Sequence, residues 1–375
     1  MAFKRFKSIL AAVLGLFLLL STSVVRAQEH AEGPAAEGHE ATAAHGEGEK
    51  KLDPAKIILD HIKDAHEFHF FTIENKEDPH HSFHASIPLP VILYAPGKGL
   101  KLFSSARFGH EGEEAYEGYK LDEHGQIVAE DGSVVYDFSL TKNVVQMILA
   151  LTLLVFLMIG IAKKYGKGQG LTTAPKGWQN AIEPVITFVR DDVAKPNLGH
   201  KYAKYLPFLL TIFFFILINN IFGLIPGSAN VTGNTAFTAV LGIISLIVIL
   251  FSTNGHFWAH ILWPPGVPFL VKLILIPVEL AGVLLIKPAA LIIRLFANMV
   301  AGHIIILSFI SLIFIFGEMN KVAGWGFSPV SILFTVFIYF IEILVAFIQA
   351  FIFTNLTAVF IGQAFEGEGH AEGHH

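Results

Sequence analysis

In the apolar stretch KPAALIIRLFANMVAGHIII, Lys287, Arg294 and Asn298 recur at spacings of seven and four, which puts them on one face of a helix. His303 lies further along the same stretch, and Glu279 stands two turns before Lys287. A second apolar stretch repeats Thr335, Glu342 and Gln349 at intervals of seven, a polar stripe on another helix. These are the residues whose chemistry asks for an explanation. Arginine stays protonated at any biological pH, and at a bilayer centre it costs roughly 2.5–3.5 kcal/mol even on the lenient insertion scale. Ionisable side chains inside apolar spans mark ion and proton pathways by default. Lys272 and Lys287 also admit a plainer reading, in which their long stems carry the charge out to the interface. For Arg294 the plainer reading is a structural ion pair with Glu342 or Glu279.

The elements that carry these residues must be membrane spans. The chain has 375 residues, 53% hydrophobic and only 15% charged, against about 25% charged in soluble domains, and several apolar runs reach the ~20 residues that a spanning helix needs. The net charge of −5 singles out no partner, and no nucleic-acid partner is expected. The absence of cysteine excludes disulfides, thiolate-bound zinc, iron–sulfur clusters and thiol catalysis. The expected fold is an all-α polytopic membrane protein with five crossings at about 143–162, 205–225, 236–253, 269–312 and 328–365, in a membrane domain covering 142–365. The last two are too long for a simple crossing. At 1.5 Å per residue they would run about 66 Å and 57 Å against a hydrocarbon core of ~30 Å. They are expected to bend at Pro277, Gly282 and Pro288 and to form a steeply tilted hairpin that turns at GEMNKVAGWGFSP.

Topology is read from charge. The segment after the first span carries Lys163, Lys164, Lys167, Lys176, Arg190, Lys195, Lys201 and Lys204 and is expected to be cytoplasmic. Within it, GWQNAIEPVITFVRDDV is amphipathic and is expected to lie along the membrane surface. HFWAHILWPPGVP returns along the cytoplasmic interface, with Trp258 and Trp263 as anchors.

The N-terminus has the form of a secretory signal over residues 1–27. A basic MAFKRFK and an apolar core lead to Val25 and Ala27 at the −3 and −1 positions of a cut before Gln28. An uncleaved anchor is the alternative. Either way, residues 28–141 are expected outside the cytoplasm, the C-terminus inside it, and the location is the bacterial inner membrane. Residues 28–50 are low-complexity and too poor in large apolar side chains to build a core, so they are expected to be disordered. Their histidines and those of the tail, 366–375, lack the fixed spacing of a metal site. Residues 51–141 are expected to form a small, mainly β extracytoplasmic domain. KIILDHIKDAHEFHFF shows helical periodicity, HASIPLPVILYAPGKGLKLFSSARF reads as strand, turn and strand, and GQIVAEDGSVVYDF as a hairpin turning at Asp131-Gly132.

The runs KPAALIIRLFANMVAGH and IEILVAFIQAFIFTNLTAVFIGQAF resemble those of subunit a of the F-type ATP synthase, over about residues 143–365. The region before residue 142 departs from the short N-terminus of many members. The resemblance implies a non-catalytic subunit without a cofactor, partnered by the c-ring, the b stator, the remaining synthase subunits and membrane lipid, and conducting protons through two offset half-channels. It implies that Arg294 is the essential arginine facing the c-subunit carboxyl group, and that His303, Glu342, Asn298 and Gln349 line the outer half-channel or the zone near the arginine. Glu279 is the candidate for the inner path. In some relatives the acid and the histidine exchange the positions of His303 and Glu342, which implies one shared site. Two other classes fit less well. A secondary transporter calls for repeated halves, and none is evident. A voltage sensor needs several arginines in one span, and the hairpin carries Arg294 alone.

Because residues 28–50 support no packed site, their deletion, with the signal segment retained, is expected to leave coupled ATP synthesis near normal in membrane vesicles. Collapse of synthesis despite normal insertion would assign the segment a transport role.

Overall fold

The computed structural model describes residues 64–364 except 74–82, 110–113, 123–124, 169–176, 226, 254–260 and 262–267. The signal segment, the low-complexity run 28–50, the loop with Trp258 and Trp263, and the tail 366–375 lie outside the described residues. The described chain divides into two compact units.

One unit comprises residues 63–234 and 343–362. It begins with seven short strands: β1 (Glu67–Ile73), β2 (Phe83–Pro88), β3 (Pro90–Ala95), β4 (Gly99–Ser104), β5 (Tyr119–Leu121), β6 (Ile127–Ala129) and β7 (Tyr136–Asp137). They form the antiparallel sets β1-β2, β4-β3-β7 and β5-β6. β3 and β4 meet at a Pro96-Gly97-Lys98 turn in which Gly97 takes φ 92°, a conformation open to glycine without strain. Alternate residues of β3, Val91 and Leu93, point into a small core with Phe108, Tyr119, Ile127 and Ala129.

Two expectations need correction here. The run KIILDHIKDAHEFHFF does not stay helical: Glu67–Ile73 is a strand paired with β2, while residues 51–63 are outside the described set. The Asp131-Gly132 turn exists, with Gly132 at φ 69°, but it joins no hairpin. β6 pairs with β5 and β7 with β3. A turn dipeptide fixes the local reversal; the partner of each strand is chosen by the core it covers.

The sheet runs into the first long helix without a linker. Leu140 N–H donates to Pro90 at 3.3 Å and Lys142 N–H to Ala65 at 2.9 Å. α1 (Lys142–Gly166) starts there, and the Asp64 carboxylate accepts from Asn143 N–H at 3.3 Å at its N-terminus. Burial pushes the Asp64 carboxyl up from its ordinary range, against the Thr141 and Asn143 hydrogen bonds that favour the ion. α2 (Trp178–Phe188) continues as a π-turn, Val189–Ala194, into the short α3 (Lys195–Leu198). Gly199, at φ 52°, then breaks the direction ahead of α4 (Tyr202–Gly223). The amphipathic segment is thus a helix set apart from the span after it. Gln146 of α1 staples the loop after α4, donating to Ala229 C=O at 2.5 Å and accepting from Ala229 N–H at 2.8 Å.

The second unit holds residues 235–342 and the chain from Gln363. It contains α5 (Thr235–Ser252), α6 (Phe269–Ala281), a π-turn over Gly282–Ile286, α7 (Lys287–Met319) and the first half of α8 (Lys321–Gln363). Each π-turn ends two residues before a proline, Pro196 or Pro288. Proline offers no N–H to the carbonyl four residues back and its ring crowds it, so the preceding turn widens. The hairpin turns within GEMNKVAGWGFSP as expected, and the break is narrow: helix occupies nearly all of that stretch, and Asn320, at φ −163° and ψ 131°, separates α7 from α8. Among the described residues, five helical segments are long and apolar enough to cross a membrane: Lys142–Gly166, Trp178–Gly223, Thr235–Ser252, Leu270–Gly317 and Gly324–Gln363.

Candidate functional site

α7 presents Arg294, Asn298 and His303, and α8 presents Glu342 and Gln349. α7 tolerates Pro288 because the residue sits at its first turn, where a missing N–H costs least. α8 is started by Asn320, whose side-chain oxygen accepts from Val322 N–H at 3.0 Å. The two helices then run back along one another in steady register. Gly324 lies on Gly317, so closely that a Cβ at 324 would stand 2.7 Å from the Gly317 Cα. Phe316 and Phe327 come next with centroids 4.5 Å apart, Ser331 O–H donates to Phe309 C=O, and Phe309 stacks on Phe334 at 5.5 Å.

The next step of that register brings Glu342 onto the backbone of Gly302. The carboxyl group occupies the space that any side chain at 302 would fill. Glu342 is 6% exposed, and its Oε2 has no hydrogen-bond partner among the described residues. A buried carboxylate oxygen left so is costly. His303 adjoins Gly302 in the chain, and its Nδ1 lies 3.2 Å from Met299 C=O. A carbonyl only accepts, so that contact calls for the tautomer with its proton on Nδ1.

Arg294 is exposed and makes no hydrogen bond or ion pair with the described residues. Gly302, which marks the level of Glu342, is eight residues on, about 12 Å along a helix. The structural pair of Arg294 with Glu342 or Glu279 is therefore not formed among the described residues. Lys287, one heptad earlier on the same helix, instead donates to Gln363 Oε1 at 2.9 Å, and the charge of Glu279 acts on it. Asn298, one turn from Arg294, is half-buried. Glu279 stands on the far side of the Gly282–Ile286 π-turn, whose wider winding shifts its phase relative to Arg294.

Gln349 belongs to the other unit and is 5% exposed there. Within that unit Asn220 Nδ2 donates to Ala346 C=O at 3.1 Å, one turn from Gln349, and Phe213 packs edge-on to Phe347 at 5.6 Å. Asn219 and Asn220 are fully buried, and each keeps a side-chain oxygen without a partner among the described residues. Sequence reasoning passed over this pair and over Gly302. The signals were an Asn-Asn step inside an otherwise apolar helix and a glycine beside the histidine of AGHI.

The fold and the site together define a polytopic membrane protein with sparse ionisable groups on two long apolar helices. A family model described as ATP synthase A chain matches residues 144–362, and the chain belongs to that family. A second model, a domain of unknown function (DUF8433), matches residues 57–146. The chain is similar to ATP synthase subunit a of Chloroherpeton thalassium, 46% identical over 245 residues, covering 64% of this chain and 71% of the relative. It is also similar to ATP synthase subunit a of Chlorobium phaeobacteroides, 43% identical over 262 residues, 68% of this chain and 73% of the relative. A more distant relative, ATP synthase subunit a of Anaeromyxobacter dehalogenans, is 39% identical over 247 residues, 64% of this chain and 61% of the relative.

The contact at Gly302 is with the mobile end of a side chain, so Gly302→Ala is expected to displace the Glu342 carboxyl while leaving the helices intact. Membranes carrying this variant should hold normal amounts of the protein yet conduct protons more slowly. Unchanged conductance with normal insertion would show that the position of the Glu342 carboxyl does not matter.

Proposed function

We propose that this chain is the proton-translocating subunit of an F-type ATP synthase, a non-catalytic stator component in a bacterial inner membrane. Its partners are the c-ring, the b stator, the remaining synthase subunits and membrane lipid. The N-terminal domain faces the periplasm and the C-terminus the cytoplasm, a reading supported by the lysine-rich segment after α1. The observation that carries the proposal is Arg294: a permanent charge, exposed on an apolar helix inside the family match, with no partner among the described residues of its own chain.

The chemistry rests on electrostatics. A carboxyl group carried on the c-ring is best protonated in lipid, because desolvation raises its pKa. Beside Arg294 it ionises. Two unit charges about 4 Å apart at an effective dielectric of ~20 attract by roughly 4 kcal/mol, equivalent to about 3 pKa units. A guanidinium cannot relay protons, so Arg294 also separates the two half-channels and prevents leak. The steeply tilted α7–α8 hairpin lies along the ring. His303, Glu342, Asn298 and Gln349 serve the outer half-channel, and Glu279 the inner one. A neutral imidazole takes up a proton, the nearby carboxylate stabilises the resulting imidazolium, and the proton passes on toward the ring. Each proton crossing 100 mV contributes about 2.3 kcal/mol, delivered by rotation to the catalytic head.

Arg294→Ala is expected to abolish ATP-driven proton pumping with assembly retained. Arg294→Lys should fail as well, because lysine is a compact, strongly hydrated charge whose pKa shifts readily on burial. Normal pumping by either variant in membrane vesicles would remove the proposed role.

For the relay, His303→Ala and Glu342→Ala are each expected to slow proton flux in vesicles stripped of the catalytic head. The exchange of His303→Glu with Glu342→His should recover a substantial part of it. Single variants that conduct normally would exclude the relay, and an exchange no better than the singles would show that the two groups are not interchangeable.

A further inference from the structure

The sheet β4-β3-β7 has two apolar faces. Its inner face carries Val91 and Leu93 into the domain core. Its outer face should be polar if it met only water, since antiparallel sheets with one solvated side alternate apolar and polar residues. It is not polar. The ladder places Ile92 opposite Leu102 and Tyr94 opposite Leu100, and on the other side pairs Tyr94 with Tyr136. Phe138 N–H donates to Ile92 C=O at 2.9 Å, which extends the same face to Phe138. Leu100 is 67% exposed, Leu102 69%, Phe138 51% and Tyr94 45%. Six neighbouring apolar or aromatic side chains thus share one face, four of them exposed and Ile92 and Tyr136 partly buried, and a contiguous apolar patch of this kind marks an interaction surface.

The chain around the patch says what covers it. The β7–β3 ladder ends at Leu140 N–H to Pro90, two residues before α1 begins. The junction is tied down by Lys142 N–H to Ala65 and Asn143 N–H to Asp64. No linker separates sheet from helix, so the sheet stands where α1 enters the bilayer. From Leu140 to Tyr136 the strand rises only about 13 Å, so the whole patch lies near the headgroup layer. The helix that follows also exposes apolar side chains, Leu149 at 58% and Phe156 at 73%. Tyrosines at that level match the aromatic belts of membrane interfaces.

We propose that the outer face of β4-β3-β7 is a lipid-docking surface that rests on the bilayer leaflet at which α1 begins and fixes the angle at which that helix enters. The inference depends on α1 crossing the membrane as the proposed function requires.

The sequence contains no cysteine, so single cysteines can be spin-labelled without background. The full chain would be labelled separately at Leu102→Cys and Tyr94→Cys, at Glu130→Cys on the exposed turn after β6, and at Phe156→Cys on α1. Each would be reconstituted in phosphatidylcholine–phosphatidylglycerol vesicles. Collision rates with oxygen and with a water-soluble nickel chelate would then be compared. At positions 102 and 94 the oxygen rate is expected to exceed the nickel rate several-fold, with the reverse at 130. Nickel accessibility at 102 and 94 equal to that at 130 would place the patch in water and overturn the proposal. Low rates for both reagents there would mean protein covers it, which also overturns lipid docking. A nickel-accessible label at 156 would instead sink the membrane reading of α1, and the docking with it.

Discussion

A polar group taken out of water must find a partner or carry a large cost, and the arrangement of the apolar helices depends on how each such group meets that demand. Most are satisfied locally. Ser245, Thr354 and Thr357 each donate to the carbonyl one turn back. Gln146 uses both ends of its amide on the backbone of Ala229, so a loop that would otherwise leave unpaired groups is held against α1. Asn220 reaches Ala346 and thereby fixes the second half of α8 against α4. Such bonds act as fixed points because the surrounding side chains offer no competing partner.

The groups that do not close locally are the informative ones. Glu342 lies on a glycine with one oxygen unpartnered among the described residues, and Arg294 is exposed with no partner there at all. Lys287, on the same helix, shows that the fold can supply a partner to a cation when it needs one, since Gln363 does so. The contrast between two cations seven residues apart separates a charge held by its own chain from one left available to another molecule. On the proposed reading that molecule is the c-ring, whose carboxyl group is transient at this position. A permanent internal partner for Arg294 would compete with it.

Much of this was legible in the sequence, and the parts that were not share a physical cause. Apolar run length located the helices, because hydrocarbon thickness sets a minimum length independent of tertiary contacts. The types and spacing of Arg294, His303 and Glu342 were visible for the same reason: charge stands out against an apolar background. Strand pairing was less legible. Asp131-Gly132 correctly marked a reversal, but the partners of β6 and β7 are set by a core assembled from distant residues. The hairpin turn was legible as a region, and the break falls inside it at Asn320. What the sequence did not show is that Gly317 and Gly324 serve the close approach of two helices. Glycine at a helix contact and glycine in a turn look alike until the neighbour is known.

The same ambiguity explains why the Glu342 site could be guessed only as a pair of side chains. Its position is set by a third residue without a side chain. Gly302 leaves a gap of carboxyl size on α7, and the register fixed by Gly317–Gly324, Phe316–Phe327 and Phe309–Phe334 delivers Glu342 to that gap. The location of the acid is therefore determined at several contacts nearer the break at Asn320, along more than four turns of helix. Helices of this length transmit such an alignment because side-chain packing admits few registers. A one-turn slip would move the carboxyl about 5.4 Å along α7, away from the level of His303. Precision at the site is thus a property of the whole hairpin, and the glycines that look least chemical do most to set where the Glu342 carboxyl stands.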